Sequence, residues 1–91
     1  MSEITVEHNV APAKLDAMNV DAWPIWEKAV STFDWHYDKG ETCYILDGEA
    51  VVTTQSGEAV TIQRGDLVRF PAGLDCTWEI VEAIEKHYIF A

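Results

Sequence analysis

From residue 30 onward the chain is interrupted at close intervals by turn-forming clusters, and this leaves room only for short extended segments. Asp38-Lys39-Gly40, Asp47-Gly48, Gln55-Ser56-Gly57, Arg64-Gly65-Asp66 and Pro71-Ala72-Gly73 punctuate the sequence. Between them lie residues 30–37, 42–46, 49–54, 59–63, 67–70, 75–81 and 84–90, each read as a strand. Glycine adopts positive φ without steric cost, so Gly48 and Gly65 are expected in hairpin turns, and Pro71-Ala72-Gly73 in a tight turn. Asp-Gly is favoured in two-residue hairpins and is expected to join residues 42–46 to 49–54. Short strands in this rhythm predict an antiparallel sandwich or barrel.

The first 29 residues have a different texture. Ile4-Thr5-Val6-Glu7-His8 alternates and reads as a strand. Residues 12–18 suit a short helical turn with Pro12 near its start. Asp21 is expected to cap a second turn through Trp23-Pro24-Ile25-Trp26-Glu27-Lys28, with Pro24 in its first turn. The expected organisation is one domain, with residues 1–29 as a strand and arm packed on a barrel of residues 30–91.

At 91 residues the core is modest, and a homodimer would enlarge the buried surface. A net charge of −10 argues against nucleic acid or anionic membrane as partner. No apolar run approaches a membrane span, and no signal-peptide pattern opens the chain. Cys43 and Cys76 lie far apart without a CxxC pair, which points to free thiols in a cytoplasmic protein. Four tryptophans in so small a domain suggest a cavity or an interface walled by aromatic rings.

Two fragments carry a resemblance. Glu41-Thr-Cys-Tyr-Ile-Leu-Asp-Gly48 has the Glu, six residues, Gly ending of the first cupin motif. Gly65-Asp-Leu-Val-Arg-Phe-Pro71-Ala-Gly73 has the Gly, five residues, Pro-x-Gly opening of the second. In order and separation the chain resembles a minimal cupin, over roughly residues 30 to 90. The Trp-Pro-Ile-Trp-Glu-Lys segment and the acidic residue ahead of His36 are similar to the small cupins related to ureidoglycine aminohydrolase and the ethanolamine-utilisation cupin. The resemblance implies an all-β double-sheet jelly-roll barrel with a short N-terminal helical arm.

Metal-binding cupins supply two His as HxH, a Glu a few positions on, and a His after Pro-x-Gly. Carried over by position, these slots fall on Asp34, His36, Glu41 and Cys76, of which Asp34 and Cys76 depart from the common residue type. Such a set would suit Mn, Fe or Zn, a thiolate favouring Zn. Alternation within the strand gives a contrary expectation. Phe33, Trp35 and Tyr37 share one face, and Asp34 and His36 the other. If the aromatics fill the barrel, Asp34 and His36 point outward.

With Glu41 and Cys76 inward, Cys43 and Trp78 join them as expected pocket-lining residues of a mostly apolar cavity suited to a small organic ligand. His87 is expected to be a paired or surface histidine. Three functions remain open on these residues. The first is a small-molecule-binding domain without metal chemistry of its own. The second is a metal-dependent enzyme, aminohydrolase-like or other, acting on a small polar metabolite. The third is a dimeric structural or interaction domain.

Overall fold

The computed structural model describes residues 4–90. Seven strands form one antiparallel network: β1 (Thr5–Glu7), β2 (Ile25–Lys28), β3 (Ser31–His36), β4 (Glu41–Thr54), β5 (Ala59–Gln63), β6 (Leu67–Phe70) and β7 (Asp75–Phe90). A helix α1 (Pro12–Met18) and a 3-10 turn (Val20–Ala22) lie between β1 and β2.

Two long strands organise everything else. β4 and β7 pair along nearly their whole length, from Glu41↔Phe90 to Thr54↔Cys76. The first half of β4 also pairs with β6, and its second half with β5. On the other side, the first half of β7 pairs with β3 and its second half with β2. The network therefore folds along the middle of β4 and β7 into two facing layers. One is β1-β6-β4-β7-β2, and the other is β5-β4-β7-β3.

The fold line is built by one glycine. Register shifts interrupt the β4–β7 ladder between Ile45 and Ala50. Across them the buried positions of β4 change from Glu41, Cys43 and Ile45 to Ala50, Val52 and Thr54. An odd-numbered inner face thus becomes an even-numbered one, as an extra residue in a bulge requires. Gly48 has φ +93°, and a Cβ there would lie 2.1 Å from the Ala83 carbonyl oxygen. Close approach of the two strands thus depends on a missing side chain.

Three expectations are corrected here. Asp47-Gly48 forms a bulge inside one continuous strand and not a hairpin, because residues on both sides of it pair with β7. Residues 75–81 and 84–90 are likewise one strand, β7. Residues 25–28 form strand β2, not a helical turn, because their backbone pairs with β7 from Ile25↔His87 to Lys28↔Ile84. Pro24 is compatible with this, since it stands just before the strand and its carbonyl accepts from the Tyr88 N–H at 3.0 Å. The expected helix over 12–18 and strands over 59–63 and 67–70 are present.

Apolar side chains from both layers meet in one core. Cys43, Ile45, Ala50, Val52, Ile62 and Val68 are fully buried there, with Phe70, Trp78, Ile80 and Ile84 alongside. β1 joins this barrel through β6, and β2 joins it through β7, so the N-terminal segment contributes strands to it.

Candidate functional site

β3 determines which side chains reach the interior. Phe33, Trp35 and Tyr37 project to the concave side, where they wall a cavity of about 220 Å³ with Trp26, Trp78, Tyr88 and Phe90. Phe33 stacks on Trp78 at 6.2 Å with their planes 8° apart, and Trp26 meets both rings edge-on. Tyr37 stacks on Phe70 at 4.8 Å and accepts a hydrogen bond from Trp78 Nε1 at 3.2 Å. Burial, and then the nearby Glu41 carboxylate, raise the Tyr37 phenol far above its ordinary value, so it stays neutral.

Two charged groups lie in this aromatic enclosure. Lys86 Nζ donates to Glu41 Oε2 at 2.6 Å, and both side chains are about 95% buried (6% and 5% exposed). The ammonium also lies 4.8 Å from the Trp26 ring centroid and 4.9 Å from that of Trp78. Pairing plus two ring faces compensates a charge that would otherwise be costly to bury. Glu41 arrives from the first residue of β4. Lys86 arrives from β7, in the same even-numbered phase as Trp78, Ile80 and Ile84. That phase is the signal by which the sequence marks Lys86, a residue that reasoning from motifs passed over.

The expected metal ligands are split between the two sides of the sheet. Asp34 and His36 face outward, where Asp34 accepts from Thr77 Oγ1 at 2.7 Å and His36 Nδ1 donates to Asp75 at 2.7 Å. Glu41 is engaged by Lys86 on the inner side, and Cys76 is buried at the edge between the two, with Sγ 3.7 Å from the Trp35 carbonyl oxygen. Among the described residues no three His, Cys, Asp or Glu side chains are grouped as a metal ion requires. Asp34, His36, Glu41 and Cys76 as placed do not fit a shared Mn, Fe or Zn ion.

Of the expected pocket residues, Glu41 and Trp78 line the cavity. Cys43 is fully buried in the core behind it, and Cys76, also buried, reaches the floor of a separate open groove whose rim carries Thr32, Asp34 and His36. Both thiols are free. Burial pushes Cys43 up to about 12 and Cys76 up to about 11, so neither is a ready nucleophile. His87 is buried and donates from Nδ1 to the Trp23 carbonyl at 2.9 Å, fixing the segment before β2. No helix among the described residues is long and apolar enough to cross a membrane.

A folded-over antiparallel barrel with a side-chain-lined interior is the architecture of the cupins. Residues 15–88 match the family described as EutQ-like cupin domain, and the chain belongs to that family. It is 50% identical to a DUF861 family protein from Thermotoga maritima, with TM-score 0.95, over 98% of this chain and 100% of that one. The Clostridium difficile EutQ protein is 24% identical with TM-score 0.67, over 72% of this chain and 52% of that one. A putative ethanolamine utilization protein Q from Salmonella typhimurium is 17% identical with TM-score 0.67, over 98% and 58%. These two likenesses concern the fold, and the chain spans little more than half of either protein. No curated protein matches the sequence.

Proposed function

We propose that this domain binds a small, flat organic molecule in the aromatic cavity, oriented by the Lys86–Glu41 pair. Cupin barrels host unrelated activities, so the reading rests on the pocket and not on the fold. The observation that carries it is a buried ion pair set into the wall of an otherwise aromatic cavity. Rings of Phe33, Trp26 and Trp78 offer faces and edges to a planar group. Lys86 supplies a donor and Glu41 an acceptor, side by side. A ligand with an aromatic body and an adjacent donor and acceptor, such as an amide, complements all of these. A metal-dependent reaction on a small polar metabolite lacks its ligand set in this arrangement, since Asp34 and His36 lie across the sheet from Glu41.

Titration with benzamide, followed by intrinsic tryptophan fluorescence, tests the reading. Saturable quenching is expected, and Lys86→Met should weaken it roughly ten-fold or more through loss of a charged hydrogen bond. Quenching that stays linear and unsaturated would remove the proposal.

A further inference from the structure

Resting on that reading of the pocket, the geometry points to a chemical role for the same lysine. We propose that Lys86 is a carbonyl-reactive amine, which captures a small aldehyde or ketone carrying a flat apolar group as an iminium. Two features converge on Nζ. It is enclosed by the rings of Trp26 and Trp78, 4.8 and 4.9 Å away, in a cavity large enough to admit a second small planar group. A carboxylate oxygen lies 2.6 Å from it, in place to take and return a proton. Lys14, by contrast, is paired with Glu7 on the surface, outside any such enclosure. An amine lining an apolar cavity, with a carboxylate at contact distance to take and return its proton, has the two things that carbonyl capture asks of its surroundings.

The step balances within the pair. A proton passes from the ammonium to Glu41, leaving a neutral amine and a neutral acid. The nitrogen lone pair forms the N–C bond, the carbonyl π pair moves to oxygen, and that oxygen takes the proton from Glu41. Glu41 then removes a proton from nitrogen and delivers it to the hydroxyl as the C–O bond breaks, releasing water. The sum is ammonium plus carbonyl giving iminium plus water, with Glu41 ionised at both ends. The product keeps the positive charge at Nζ, so the contacts to Glu41, Trp26 and Trp78 that hold the ammonium also hold the iminium. Enclosure that excludes bulk water favours this condensation over its reversal.

The test exposes the whole protein to benzaldehyde with sodium cyanoborohydride near pH 7 and locates benzyl adducts by peptide mass mapping. Lys86 is expected to be modified roughly ten-fold or more ahead of Lys14, Lys28 and Lys39, because binding places the carbonyl against it. Modification of Lys86 at or below the rate of those three overturns the proposal. Glu41→Gln should slow adduct formation at Lys86 by about 100-fold and leave Lys14 unchanged, as loss of a positioned proton carrier does. Equal or faster modification in that variant overturns the role of Glu41, and if the variant does not fold the wild-type competition still decides. Absent Lys86 adducts with benzamide quenching retained would defeat the lysine chemistry and leave the binding pocket standing. Loss of both would defeat the two together.

Discussion

Lys86 Nζ and Glu41 Oε2 are 2.6 Å apart at the inner wall of the barrel, where the first residue of β4 faces the last third of β7. Each carries a charge that the aromatic surroundings would not tolerate alone. Lys86→Met, which leaves Glu41 without its partner, should destabilise the fold by about 3–5 kcal/mol. The double variant Glu41→Gln/Lys86→Met should recover most of that loss. Urea unfolding of the wild type, single and double variants measures the difference. Equal destabilisation by both would show that the pair is not the cause.

Gly48 carries the second prediction. Its φ of +93° and the 2.1 Å approach of a Cβ to the Ala83 carbonyl oxygen leave no room for a side chain. Gly48→Ala should cost about 3 kcal/mol or more, combining backbone strain with a steric clash. Gly57 has φ +91° but open space around it, so Gly57→Ala should cost only about 1 kcal/mol. Chemical denaturation of both variants separates the clash from the strain.

These two positions also show what the sequence discloses and what it withholds. Turn clusters predicted the all-β architecture, and α1 begins and ends where Pro12 and Met18 suggested. Asp47-Gly48 misled because positive φ serves a hairpin and a bulge equally well. What decides is the pairing of both flanks with β7, a partner more than thirty residues away. The Trp23–Lys28 segment misled for a related reason, since its strand exists only through β7 and through Trp26 packing on Trp78. At the site, alternation along β3 grouped Phe33, Trp35 and Tyr37 on one face, which lines the cavity with Trp35 half exposed, while family positions offered Asp34 and His36. The two cues conflict, and only the tertiary structure shows which face of β3 is enclosed.

Acid–base behaviour of the strand pair β2–β7 gives a third prediction. Glu27 and Glu85 are direct cross-strand partners. A hydrogen bond shared with Glu27 is the main cause raising Glu85 above its ordinary value. A raised carboxyl favours the folded state when protonated and loses that contribution as pH rises through its folded value. Glu85→Gln should therefore raise the melting temperature at pH 7. The gain should fade as pH falls through the raised Glu85 value and be gone below the ordinary glutamate value of about 4.3. Scanning calorimetry of both proteins across that range is the check.

The thiols give a fourth. Cys43 and Cys76 are held at about 12 and about 11 by burial, against an ordinary value of 9.0. In the native protein at pH 8 both should resist a thiol reagent such as a disulfide of nitrobenzoate, and both should react on unfolding. Since unfolding frees them to ionise, stability should fall as pH climbs above about 9, and Cys43→Ser should blunt that fall while weakening the core. Fast labelling of native Cys43 would contradict its enclosure.

The occupied or empty state of the aromatic cavity is read most directly from the four indole N–H signals in a nitrogen–proton NMR spectrum during titration with benzamide. Trp26, Trp35 and Trp78 border the cavity, whereas Trp23 lies outside its lining and serves as the internal reference. Saturable shifts of the first three with Trp23 unmoved are the predicted result. Four signals that stay still, or that drift together without saturating, would contradict the pocket as the seat of function.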